Sequence, residues 1–409
     1  MSTLLQIDEP AAPPRVAPSL GAFLEMGFRP LYLAGAGWAL VAVALWIFWP
    51  QWLQGPLAGV AWHAHEMMWG FVATIAVGFL MTAGANWTGV NPMPRATLAA
   101  ACLLWLLARI GLLGHGTTWF WLGFGAEAAF FLLSALSMAR AVYGTRNRRN
   151  YAVPLLLLGL GLADVLYLLA AMGGDYTVLM QRFNAGLLVM AVIALLVGRR
   201  VIPFFAMRAV PGLQIPLHER SSRVQLIAGS LAVLFVLLQW PLPQALALAI
   251  AGALPLWQLL GWRPLAVRHK PLLWILYAGY AGLGLGLLIA AAQAGGAPLR
   301  TAVHVHVVAM AGFSVLIVGM VTRTALGHLG RPLATDRSMV TSYALVLAAT
   351  ALRLGALHPS ALTPLLLQGA ALCWIAAMAL YLWRFVPWMI RPRPDQPAPV
   401  VVGRPGPRP

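Results

Sequence analysis

Trp62-His63-Ala64-His65-Glu66-Met67-Met68 stands at the head of an apolar run that continues to Met81. Two imidazoles, a carboxylate and two thioethers therefore crowd the mouth of a segment long enough to cross a bilayer as a helix. Each of these side chains is a metal-ligand type, and each is costly in hydrocarbon unless it has a partner or a use. A second His-x-His, His304-Val305-His306, opens another apolar run late in the chain. The fold turns on whether these two stretches are membrane helices and whether they meet.

Composition answers the first part. Of 409 residues 61% are hydrophobic and 9% charged, with a mean hydropathy of +0.81. A soluble chain carries about a quarter charged residues, so this is the composition of an integral membrane protein. The apolar runs are of helical length rather than short alternating strands, which excludes a β-barrel. The net charge of +17 does not imply nucleic acid, because the basic residues cluster in short connections between apolar runs. Cys102 and Cys373 both fall inside apolar runs and suggest neither a disulfide nor a metal site.

Counting the runs predicts an all-α, polytopic bundle of twelve helices, at roughly 29–49, 62–85, 95–113, 118–142, 152–173, 177–198, 223–240, 243–262, 272–293, 301–321, 339–357 and 362–386. Residues 28–388 form one membrane domain without an evident internal repeat. The stretches 1–27 and 389–409 read as disordered tails, the second rich in Pro and Arg. The exits of even-numbered helices are basic: Arg146, Arg148 and Arg149; Arg199, Arg200 and Arg208; Arg263, Arg268 and Lys270; Arg323, Arg331 and Arg337; Arg391 and Arg393. The positive-inside rule then puts both termini in the cytoplasm and the odd exits outside. Helices two and ten both run inward, so the two His pairs lie at matching depth near the outer face.

Residues two apart on an α-helix point about 200° away from each other. Neither pair can therefore close on one small ion from a regular helix. If helices two and ten pack, one His from each can face across a planar cofactor while the others serve a second site. Haem is the natural group for two imidazoles approaching from opposite helices. Copper suits His with Met or carboxylate, and Met67 and Glu66 lie at i,i+4 and i,i+3 from His63. A lone membrane histidine can equally be a hydrogen bond between helices. Arg109, Arg182 and Arg353 lie toward the outer face, where charge is sparse, and would suit haem propionates. Glu66 and Glu127 are the candidate catalytic carboxylates, and Asp164, with Tyr167 at i,i+3, is a further intramembrane acid able to relay protons or pair with an arginine. The stretches Gly198–Phe205 and Thr322–Arg331 read as composed loops on the basic side, His328 among them as a hydrogen-bonding residue.

Phe28-Arg29-Pro30, Trp62 to Met67, Asn86-Trp87-Thr88-Gly89, Arg199-Arg200-Val201-Ile202-Pro203 and Met320 to Arg331 together resemble the NnrS family over nearly the whole membrane region. The resemblance departs at Arg199-Arg200, where glycine is expected before a single arginine. It implies a twelve-helix protein of the bacterial inner membrane that contains haem and copper and belongs to the response to nitric oxide and to denitrification. A wider resemblance, to haem–copper oxidases and nitric oxide reductases, rests on a His on helix two and the H-x-H on helix ten. Helices six and seven hold no histidine here, so a copper or second haem would have to use His63, His65, Glu66 or Met67. The expectation is a protein that binds and reduces or detoxifies nitric oxide. One or two b-type haems would sit between helices two and ten, with electrons from quinol or a soluble donor. Two other classes stay open: a metal-ion or proton-coupled transporter, and a haem-holding sensor without turnover.

Overall fold

A computed structural model describes residues 17–395, which form helices joined by short connections, with no strand among the described residues. Twelve helices are long and apolar enough to cross a membrane: α1 (Phe28–Phe48), α2 (Gly59–Thr88), α3 (Arg95–Leu113), α4 (Thr117–Gly144), α5 (Ala152–Gly173), α6 (Tyr176–Ala209), α7 (Glu219–Leu238), α8 (Pro241–Gly261), α9 (Pro271–Ala294), α10 (Ala302–His328), α11 (Arg337–Gly355) and α12 (Thr363–Met389). The chain is a multi-pass membrane protein.

Helices adjacent in sequence pack on one another around the molecule, except that α2 lies against α4, with α3 against α4's flank; α12 returns to α1 and closes the circle. α2, α6 and α10 touch each other across the middle. Their positions follow from which faces are apolar. The most apolar window of α2 is 89% buried and that of α6 72%, against 33% for α3 and α7. α3 and α5 instead turn Leu103, Leu106 and Ile110, or Leu155, Leu158 and Leu162, outward. These are stripes at helical spacing suited to lipid. Close approach of α9 to α10 depends on Gly279 and Gly286, where an added Cβ would lie 2.6 Å and 2.8 Å from the backbone nitrogens of Leu316 and Val308.

Two irregularities stand at corresponding places. Immediately after each His pair the helix loosens into a π segment, Glu66–Ala73 in α2 and Val307–Ser314 in α10. A hydroxyl closes each one on the carbonyl five residues back: Thr74 donates to Trp69 (3.0 Å) and Ser314 to Ala309 (2.8 Å). Such segments concentrate at functional sites because they turn side chains out of α-helical register.

The two ends of the described chain meet on the face opposite the His pairs. Ser19 N–H bonds the Ile390 carbonyl (2.8 Å), and the buried Arg29 guanidinium donates to the carbonyls of Met389 (3.1 Å) and Arg391 (2.7 Å), capping α12. Within the stretch read as an N-terminal tail, Leu20–Phe23 forms one helical turn capped by Ser19; residues 1–16 and 396–409 lie outside the described residues.

The two stretches read as loops are helical. α6 continues through Arg199, Arg200 and Pro203 to Ala209, and α10 runs on to His328. The charges that suggested a loop are accommodated by packing: Arg323 lies over the Phe205 ring at 4.0 Å, and Arg200 donates to Asn150 (2.9 Å). His328 packs against Phe28, ring centroids 5.5 Å apart.

Candidate functional site

Where α2 and α10 face α11, α12 and α1 they enclose a cavity of about 540 Å³. His63 and His306 both line it, one from each central helix, together with Met67, Met310, Ser314 and Arg353. The His63 ring is held by stacking on Trp46 (5.1 Å between centroids, 13° between planes), and its Nδ1 is buried without a partner. His306 is oriented differently: its Nδ1–H donates to the Ala302 carbonyl at 2.7 Å, which leaves Nε2 as the lone-pair nitrogen. Both rings are thus fixed in place, each with a ring nitrogen not engaged by protein.

The other members of the two pairs go elsewhere. His65, fully buried, points away from the cavity toward α4 and α5. Its ring nitrogens lie 2.9 Å from Glu66 Oε1 and 2.8 Å from Asp164 Oδ1, and Glu127 Oε2 is 3.5 Å from Nε2. Arg109, reaching in from α3, pairs with both Glu66 and Glu127, and Trp38 from α1 donates its indole N–H to Glu66. The imidazole packs against Trp69 and Tyr167, at 5.4 Å and 5.9 Å, and those two rings meet each other at 5.1 Å. Room for this cluster depends on Gly70, where a Cβ would lie 2.5 Å from Arg109 Nη1 and 2.7 Å from Glu66 Oε2. His65, Glu127 and Asp164 each offer a ligand atom within 4.8 Å of the others, so this buried group could hold a metal ion.

His304 faces a third compartment, a cavity of about 440 Å³ among α6 to α10. Its ring nitrogens bond the side-chain amides of Gln293 (2.6 Å) and Asn184 (3.0 Å), and Gln181 and Gln244 line the same space. α6 stands between this compartment and the His65 cluster: Phe183 abuts Trp69 on one side while Asn184 meets His304 on the other.

Several sequence expectations are rearranged by this geometry. His63 and His306 face one space, whereas His65 and His304 occupy two separate compartments rather than one second site, because α6 intervenes. Glu66 does not share a wall with His63: in α-helical register it lies on the flank of His63 opposite Met67 and meets Arg109 and Trp38 beside His65, while Met67 stays with the cavity. Arg109 has protein carboxylates as partners, Arg353 lines the cavity, and Arg182 is half-buried and lines none of the three compartments described. Tyr167 donates to the Ala61 carbonyl (2.8 Å), not to Asp164. Residues that sequence reading passed over include Trp38, Trp46, Asn184 and Gln293. A signal for Asn184 existed: Gln181, Arg182 and Asn184 put three polar residues at the outer start of helix six.

No curated protein matches the chain. A family model described as NnrS protein matches residues 22–393, which takes in all twelve helices and all three compartments. On that match the chain belongs to the NnrS family.

Proposed function

We propose that this protein is a haem-containing inner-membrane protein of bacteria that binds and reduces, or otherwise detoxifies, nitric oxide. Its b-type haem would be held by His63 of α2 and His306 of α10. One observation carries the reading: two imidazoles from different central helices face a single apolar cavity, each with a ring nitrogen unengaged by protein. The cavity volume, about 540 Å³, lies within the range usual for cofactor sites. Arg353 on its wall suits a propionate, and Met67 and Met310 give it a soft, adaptable lining. When bound, haem would supply one-electron transfer and, where one imidazole yields its place, a metal centre for a diatomic ligand.

The chain's own contribution is positional. Trp46 holds the His63 plane, and the Ala302 carbonyl fixes the His306 tautomer, the outer support that ligating histidines generally have. Glu66 and Glu127 point into the cluster behind the cavity wall, so any catalytic part they play is indirect. Copper, where carried in the cavity, would find His63 and Met67 as its donors. The basic helix exits lie on the face shared by the two chain ends, in keeping with cytoplasmic termini and the inner membrane. Electrons would come from quinol or a soluble donor.

Haem content of the purified protein and its consumption of nitric oxide under reducing, anaerobic conditions test the proposal. A stoichiometric haem with sustained consumption is expected. Binding without consumption would make the protein a sensor. A colourless protein that accumulates labelled ions in vesicles would be a transporter and would overturn the haem reading.

A further inference from the structure

We propose that the cluster around His65 is a second metal site, distinct from the haem cavity. It would take a divalent cation of the Mn²⁺, Fe²⁺ or Zn²⁺ class, with His65 Nε2, Asp164 and Glu127 as ligands. Glu66 and Arg109 are its supporting shell.

Four observations converge on it. Both ring nitrogens of His65 face carboxylate oxygens, at 2.9 Å (Glu66) and 2.8 Å (Asp164). Ionised carboxylates only accept and a neutral imidazole has one N–H, so the two contacts require a second proton, on the ring or on a carboxyl, or a metal ion. Asp164 Oδ2 is buried with no hydrogen-bond partner, an exception that calls for an occupant. The Glu66 contact to Nδ1 is the carboxylate–histidine support that fixes a ligating tautomer with Nε2 turned toward the metal. Finally, the spacing suits an ion. Donors around a tetrahedral metal with bonds of about 2.1 Å lie about 3.4 Å apart. His65 Nε2 and Glu127 Oε2 are 3.5 Å apart, Nε2 and Asp164 Oδ1 stand closer, at 2.8 Å, and would part by a few tenths of an ångström around an ion, and all three donor atoms fall within 4.8 Å of one another.

Charge favours the metal over the proton. Glu66, Glu127 and Asp164 bring three carboxylates into the membrane interior against one guanidinium, Arg109. Protonating His65 still leaves one negative charge uncompensated in a medium where that is costly. A dication beside a neutral imidazole balances the cluster. The donor set holds imidazole and carboxylate but neither thiolate nor thioether, which selects against Cu⁺.

The test is elemental analysis of the purified full chain alongside its haem spectrum. Wild type is expected to carry one equivalent of Mn, Fe or Zn beyond haem iron. Asp164→Asn should lose it at least tenfold while keeping the haem absorbance, and His63→Ala should do the reverse. That separation keeps this site's failure distinct from failure of the haem proposal. As a check independent of variant folding, wild type stripped with chelator should bind added Mn²⁺ at one site per chain, read by electron paramagnetic resonance. Wild type without such a metal even after Mn²⁺ addition would show a protonated hydrogen-bond cluster and overturn the proposal. So would a well-folded Asp164→Asn protein that retains the metal. Copper lost on Asp164→Asn would overturn the assignment to this class of cation.

Discussion

Replacing Arg109 by Met keeps much of the side chain's length but removes the guanidinium from between Glu66 and Glu127. Both carboxylates are buried, so neither can turn to water. Breaking a buried pair costs about 3–5 kcal/mol because the surviving charge is left uncompensated. That is roughly a hundred- to several-thousand-fold fall in the ratio of folded to unfolded protein. Unfolding by increasing dodecyl sulfate in mixed micelles, followed by tryptophan fluorescence, reads the loss directly. The guanidinium lies 6.0 Å from the ring centroids of both Trp38 and Trp105, so emission also reports the local change. Neutralising the orphaned acids in Arg109→Met/Glu66→Gln/Glu127→Gln should recover most of the stability, since the penalty is electrostatic rather than steric. If Arg109→Met unfolds at the wild-type detergent fraction, or the triple variant is no better than the single, the cluster does not work as a charge-balanced unit.

Other substitutions isolate other parts of the account. Gly70→Ala should cost about 1–3 kcal/mol by crowding the Arg109–Glu66 pair. Gly37→Ala, which meets nothing within 4 Å inside α1, should cost nothing and stabilise by up to about 1 kcal/mol. His304→Leu should lower stability by about 1–3 kcal/mol through the unpaired amides of Asn184 and Gln293, yet leave haem content unchanged. Asp336, the N-cap of α11, accepts from the Met339 amide (3.0 Å) and Ser338 (2.6 Å). Partial burial acts to raise the pKa of its carboxyl, but the hydrogen bonds and Arg384 outweigh it and hold the value below the usual range. Its stabilising contribution is therefore complete above the free aspartate pKa of about 3.9 and lost as pH falls through the lower folded value. Asp336→Ala should cost about 0.5–2 kcal/mol at neutral pH and correspondingly less in acid, read from unfolding midpoints at the two pH values.

Much of the architecture is legible in one dimension because a membrane enforces a simple length rule. Each apolar run of about twenty residues must be a helix, and the twelve runs are the twelve spans. Ends were less legible. Arg199, Arg200 and Arg323 look like loop residues by polarity, yet helices continue through them, because Phe205 and Asn150 supply partners. For the site, the opposed directions of i and i+2 residues foretell that His63 and His65 face different walls. Which carboxylate goes with which imidazole is hidden in the sequence, because the i,i+3 and i,i+4 neighbours of His63 lie on opposite flanks of it and only the arrival of Arg109 and Trp38 shows which side Glu66 joins. The third central helix was hidden too. Helix six has no histidine, so nothing in a search for ligands drew attention to it, although Asn184 and Phe183 separate the compartments of His304 and His65. Gly70 carries no signal in the sequence; only the arrival of Arg109 from α3 explains it.

The most direct test of the central claim, that His63 and His306 share one haem, is the visible absorption spectrum of four single variants purified in parallel. His63→Ala and His306→Ala should each lose or shift the Soret band, while His65→Ala and His304→Ala keep its position and intensity per folded protein. Four equal spectra, or loss confined to His65→Ala and His304→Ala, would contradict the account.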